Sequence, residues 1–308
     1  MIRTTLKIVL VALLLMVAVK LIHGQANQEK PPSFDVISVK PSASDGQVKS
    51  IFPLGPGDVY VKNGGHFAAD GLPLATYLYF AYKVLGNEMD AVGGQLPGWA
   101  LNDRFFIEAR TDGDPAKDTK EQMRLMMRSL LAERFGLKTH YETRDVSIFA
   151  MSLAKPGKTG LQLQPHSEGD SPCATILSAG TTQTGAGTVA GGYPSQCGGL
   201  LAMPSGAAGR KKMGARNVTM AFIANQLTAL GNLGRPAIDH TGLTGTFDFV
   251  LEFVPESMTA VPASSDIQDP NGPTFSEAMR EQLGLKLEST KAPSQFLVID
   301  HVERPTRN

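Results

Sequence analysis

Ser152-Leu153-Ala154-Lys155 has the S-x-x-K spacing, and Lys158-Thr159-Gly160 follows it as K-T-G. Penicillin-binding enzymes use both motifs. There the serine opens a helix beside its lysine, and K-T-G comes from a distant strand of the same site. In this chain Lys155 and Lys158 are three residues apart, and Ser152 closes an apolar run that reads as a strand. The context that makes the pair a nucleophile and its base is therefore missing. Pro156-Gly157-Lys158-Thr159 imitates the end of a phosphate loop, but the first glycine of that motif would fall on Ser152. Neither G-x-S-x-G nor H-E-x-x-H occurs.

Five histidines follow residue 26: His66, His140, His166, His240 and His301. Asp239-His240 and Asp300-His301 each follow an apolar run. A metal or acid–base centre would gather His140, His240 and His301 around Asp239 or Asp300. That is the basis of an alternative reading, an exported metal-dependent or hydrolytic enzyme. Against it, no close pair has ligand spacing, and a histidine at a strand end keeps its polar tip in water without any site. The main reading assigns no catalytic, cofactor-binding or metal-binding residue. It marks Trp99, Tyr79 and Phe80 as candidate partner contacts. Trp99 also suits a plug at the base of the first half. Cys173 and Cys197 are too far apart for a C-x-x-C pair, and in an oxidising compartment they read as a disulfide.

The elements that would position these residues appear twice. Leu130 to Lys138 aligns without a gap on Ala278 to Lys286, and the same offset of 148 lays Ile148 to Met151 on Phe296 to Ile299. Arg104 to Ile107 resembles Thr246 to Phe249. Such a repeat implies a duplicated structural unit. In the first copy, Phe34 to Lys40 reads as a strand. A short strand at 66–70 leads into a helix with Leu74, Tyr77, Leu78, Ala81 and Tyr82 on one face, stopping near Gly86. A strand at 104–110 follows, and Thr119-x-x-Gln122 then caps a helix that ends at Gly136. Strands at 137–143 and 146–154 close the copy. The second copy has a strand at 213–217, a helix capped by Asn217 or Thr219, strands at 236–239 and 245–253, and a Thr274-x-x-Glu277 cap. Its last helix ends at Gly284, about two turns shorter than its counterpart, before strands at 285–290 and 295–302. The fold class is α+β: two tandem β-α-β-β-α-β-β units with helices packed on small mixed sheets. The expected boundaries are 34–155 and 213–305, separated by a flexible Gly-rich insert at 156–212 that holds 12 of the 32 glycines.

Arg3 and Lys7, the apolar run Ile8 to Val19 and Gly24-Gln25-Ala26 have the layout of a signal peptide over residues 1–26. Twelve apolar residues fall short of the ~18–20 that cross a bilayer, so cleaved export is preferred to an uncleaved anchor. The whole chain carries 29 basic and 29 acidic residues. Losing Arg3, Lys7 and Lys20 would leave 26 against 29, a balance of −3 with no basic block, which argues against nucleic acid. No second apolar run is long enough to span a membrane.

Phe34 to Pro41, Leu96-Pro97-Gly98-Trp99 with Asp103-Arg104-Phe105, Asp239 to Asp248, Gln282 to Glu288 and Val298 to Pro305 together resemble the "soil-associated" family of soil bacteria, whose function is uncharacterised. The resemblance covers nearly all of the chain after residue 26. It implies an exported protein without an assigned activity. In some members the domain sits behind membrane metallopeptidases of the antibiotic-sensor type, a context of extracytoplasmic sensing or docking. The second copy is more weakly similar to the short N-terminal domain of secretins and TonB-dependent receptors, which contacts envelope proteins. The expected role is non-enzymatic: binding of an envelope or extracellular protein or peptide, without cofactor, through sheet edges or the groove between units.

Overall fold

The computed structural model describes residues 31–305 apart from 44–46, 56, 60, 61, 87, 113–117, 168, 170–172, 174–186 and 256–271. The signal-peptide segment lies outside the described residues, as do the middle of the Gly-rich insert and most of the loop at 255–273. The fold is mixed α+β, with several small sheets and few helices.

Strand β1 (Val36–Pro41), β2 (Lys49–Ser50), β3 (Phe67–Pro73) and β4 (Arg104–Arg110) form one antiparallel sheet in the order β1-β4-β3-β2. Its inner face packs on helix α1 (Leu74–Tyr82) and helix α4 (Lys120–Phe135), with the short helices α2 (Glu88–Gly93) and α3 (Gly98–Asn102) at the side. Phe67, Phe105, Met123, Leu130 and Phe135 form the centre of this first core. The rings of Phe105 and Phe135 meet edge to face at 5.4 Å. Tyr77 is fully buried among them, and burial pushes its phenol pKa up. Its hydroxyl donates to the carbonyls of Ala69 and Phe105, at 3.2 and 3.1 Å, so no buried donor is stranded.

The second four-stranded sheet has the order β6-β10-β8-β7, built from β6 (Leu163–Pro165), β7 (Leu200–Met203), β8 (Lys211–Val218) and β10 (Phe247–Phe253). Helix α5 (Met220–Leu230) and helix α6 (Phe275–Ala278), which continues as a π turn over Met279–Leu283, close its core around Ile223, Leu227, Phe249, Leu251 and Leu283. Strands β6 and β7 come from the segment expected to be a flexible insert. Its ends are therefore sheet, because they complete the edges that β10 and β8 leave open.

The largest departure from two self-contained units is β5 (Lys138–Leu153) with β11 (Leu285–His301). Each runs unbroken where two strands were expected, and together they make an antiparallel ribbon of about 50 Å at ~3.3 Å per residue. Pro293 lies in the gap between the two strands expected at 285–290 and 295–302. It sits on the outward-facing side of β11, where a missing N–H removes no bond to β5. The ribbon crosses the molecule. Ile148–Leu153 of β5 reaches the second core through Met151, while Leu297 near the end of β11 is buried in the first. Neither half is closed without a strand from the other, so boundaries at 155 and 213 cut through shared packing. The short strand β9 (Ala237–Asp239) adds to β5 in parallel.

The helix caps stand where the sequence puts them. Thr119, Thr219 and Thr274 each accept a backbone N–H at the N-terminus of a helix, and Thr274 with Glu277 forms the complete reciprocal box. Gly136 and Gly284 end their helices at φ 59° and 69°. Helix α1 differs. It stops at Tyr82, before Gly86, and Lys83 itself takes the left-handed conformation at φ 53°. Its ammonium meets Asp58 at 3.0 Å, which helps to hold a conformation unusual for lysine.

Candidate functional site

The serine–lysine motifs do not converge. Ser152 lies within β5 opposite Lys286, and its Oγ is buried without a hydrogen-bond partner among the described residues. Lys155 and Lys158 face each other across an exposed turn.

The three histidines of the alternative reading do not gather at one centre: His140 and His301 share one end of the ribbon, and His240 lies at the other. His140 lies on β5 and bonds Asp300 on β11 through Nδ1 at 2.8 Å, with Glu142 at 3.4 Å from Nε2. The Asp300 and Glu142 bonds raise its pKa, and the group is exposed. His301 is also exposed and approaches Glu303 at 3.6 Å. His240 donates its backbone N–H to Met151 O, eleven residues further along β5 from His140. That spacing is roughly 36 Å of strand. No metal ion spans such a gap, and no group of three or more His, Cys, Asp or Glu side chains among the described residues is placed to hold a metal ion.

Two ionic clusters, each holding a buried cation, escape sequence reading. In the first, Asp58 pairs with Lys83 at 3.0 Å and with Arg124 at 2.7 Å. Burial works to raise the Asp58 pKa, but the bonds from Lys83 and Arg124 outweigh it and hold the carboxyl below its usual value. Lys120, 3 % exposed, turns its ammonium onto the Gly57 carbonyl. Burial lowers its pKa to about 7, Arg124 repels the charge further, and Asp58 opposes the shift. In the second cluster Asp248 accepts from His166 Nδ1 at 2.8 Å and from the Asn217 N–H at 2.8 Å, with Arg216 Nε at 3.6 Å. Asn217 has φ 53°, and the β10–β8 register shifts at this point. The carboxylate therefore ties an irregular strand end to a buried arginine. The helical face of α4 puts Lys120 and Arg124 one turn apart, a pattern normal for a solvated side. The overlying Gly57–Asp58 loop covers them.

That loop also joins the halves. A Cβ on Gly57 would lie 1.8 Å from the Gly198 carbonyl oxygen, next to Cys197. Cys173 and Cys197 form the expected disulfide. Beside the loop, a cleft of about 430 Å³ runs between Asp58, Lys83 and Glu88 on one side and Thr219, Asn225 and Asp239 on the other.

Of the three candidate contacts, Phe80 is 3 % exposed and stacks on Phe67, so it is core and offers no surface. Helix α1 is buried on more sides than one apolar stripe suggests, because the Phe52 segment covers it. Tyr79 is half-buried, its hydroxyl on Met89 O at 3.1 Å. Trp99 packs on the first core under the Arg304 guanidinium, 5.3 Å from its ring. This is the plug expected of it.

A second cavity, about 370 Å³, opens beside the ribbon between Tyr82, Val84 and Val92 on one wall and Tyr141, Phe296 and Leu297 on the other. Gln95 spans it. Its Nε2 donates to Leu297 O at 3.2 Å, and its Oε1 accepts from the Ile299 N–H at 3.0 Å. Tyr141 is 51 % exposed at its mouth. Among the described residues β11 pairs with no strand but β5, and the outer edge of β5 meets another strand only at Phe149–Met151.

Fold and sites together define a mixed α+β protein organised on a long open ribbon. Residues 75–302 match the family described as "Protein of unknown function (DUF3738)", and the chain belongs to that family. No curated protein and no solved structure matches the chain. No helix among the described residues is long and apolar enough to cross a membrane.

Proposed function

We propose that this chain is an exported, non-enzymatic docking protein that recognises an extended segment of an envelope or extracellular protein along the edges of its ribbon. One observation carries the reading. Among the described residues, the outer edge of β5 between Thr139 and Ser147 pairs with no strand, and the facing stretch of β11 pairs only with β5. An open edge recognises a peptide through main-chain hydrogen bonds, which needs no special side chains. That agrees with a sequence lacking a catalytic signature. The layout of residues 1–26 supports export, and the resemblances to the soil-associated family and to secretin and TonB-receptor N-terminal domains support an envelope role. The alternative, an exported metal-dependent or hydrolytic enzyme, draws less support, since His240 lies at the other end of β5 from His140 and His301.

Photo-crosslinking residues placed at Thr143 and Lys291 in the full chain, in growing cells, test the reading. A discrete adduct from these positions that is absent with the crosslinker at Glu133 on α4 is expected. Adduct patterns indistinguishable from the Glu133 control overturn it.

A further inference from the structure

The offset of 148 residues carries Phe149 to Leu297 and Met151 to Ile299. It also carries Asp145 to Pro293, and these two residues face each other in the ribbon. The ribbon therefore has an approximate two-fold centre at that pair, and the outer edge of β5 at 149–151 corresponds to the outer edge of β11 at 297–299. The two edges are filled differently. At Phe149–Met151 lies β9, parallel, with Ile238 opposite Ala150. Phe149 N–H donates to Pro236 O, and Met151 O accepts from His240 N–H, both at 2.8 Å. A parallel ladder in this register turns the peptide groups of Ile238 toward the remaining outward groups, Phe149 O and Met151 N–H. At the corresponding edge the Gln95 side chain serves those same two groups, Leu297 O and Ile299 N–H. It stands in for one residue of a strand. The groups that match the Pro236 and His240 bonds, Leu297 N–H and Ile299 O, have no strand partner among the described residues.

Resting on the docking role above, we infer that the gap bridged by Gln95 is the docking site, and that its occupant is an extended peptide of a partner protein. The peptide adds parallel to β11 at Gln295–Ile299, as β9 adds to β5. The Gln95 amide sits at hydrogen-bond distance from Leu297 O and Ile299 N–H, where the peptide group of an added strand would stand, so the peptide displaces that amide and takes over its bonds. Ala237 of β9, opposite Phe149, is buried. A partner's small or aliphatic residue opposite Leu297 would likewise enter the cavity walled by Tyr82, Val84 and Val92. Gln95 keeps the edge closed to adventitious pairing until such a peptide arrives.

The probe is a synthetic capped peptide with the chain's own Arg235–His240 sequence, titrated into the intact protein while the amide signals of Leu297 and Ile299 are followed by NMR. Saturable shifts of those two signals are expected, with Gln95→Ala binding on the order of tenfold tighter, because two neutral hydrogen bonds no longer compete. The same peptide N-methylated at the isoleucine cannot donate to Leu297 O and should not bind. Absence of shifts in both wild type and Gln95→Ala at millimolar peptide, or equal binding of the methylated peptide, overturns the inference. Crosslinks from Thr143 in that case would leave the wider docking role standing and place it elsewhere on the ribbon.

Discussion

Replacing Lys120 by methionine should stabilise the protein near neutral pH and remove a pH dependence. The ammonium is 3 % exposed and held on the Gly57 carbonyl. Its folded pKa is about 7 against a reference of 10.5. Between those values the unfolded chain binds the proton and the folded chain does not, so stability rises with pH through this window and is flat below it. The slope approaches about 1.4 kcal/mol per pH unit, and the full cost of charged Lys120 is on the order of 3–5 kcal/mol. Methionine fills a similar volume without that cost. It loses one bond to Gly57 O, which Arg124 still reaches at 3.3 Å. The net gain at pH 6 should be about 2–3 kcal/mol, shrinking to zero or reversing by pH 10. With an unfolding slope of about 5 kcal/mol/M that is a midpoint shift of about half a molar in guanidinium chloride. Fluorescence of the single tryptophan, Trp99, reports the transition. The wild-type-minus-variant difference must be taken at each pH, since other groups titrate in common. A difference that is the same at pH 6 and pH 10 would refute the argument, because Lys120 would then keep its ordinary pKa in the fold.

The two matching helix stops should respond unequally to alanine. Gly136→Ala meets only the Glu303 side chain and should cost about 1 kcal/mol for its positive φ, whereas Gly284→Ala sets a Cβ 2.5 Å from the Gly160 backbone and should cost about 3 kcal/mol. Equal losses in thermal unfolding would show that Gly160 yields. Asp248→Ala strips the carboxylate from His166, Asn217 and Arg216 and should lower stability by about 3–5 kcal/mol, read from chemical denaturation. Exchanging Cys173 and Cys197 together for serine should cost about 3 kcal/mol, since the bond spans 24 positions. An unchanged midpoint would mean that the loop is already held by Gly57 against Gly198.

By itself the sequence determined what is settled within a few residues. Thr119, Thr219 and Thr274 open their helices, and Gly136 and Gly284 end theirs. A cap satisfies amides one turn away, and a left-handed stop needs only the absence of a Cβ, so both are visible in a short stretch of chain. The alternation of Phe247, Phe249 and Leu251 announced β10 in the same way. The α+β class follows from the order of such pieces. Long-range partners decided the rest. Arg144-Asp145 and Pro293 look like turn material in sequence. Opposite one another in an exposed ribbon they continue two strands, because each edge is solvated and no ladder bond is lost. Lys120 and Arg124 look like a solvated helix face until Gly57–Asp58, more than sixty residues away, covers them. Of the histidines that spelled a candidate metal centre, His240 lies at the opposite end of β5 from His140 and His301. Gln95, one polar residue in a loop, gained its meaning from a β11 edge some two hundred residues further on. Side-chain chemistry is written locally, but burial, pairing and separation are properties of the closed chain.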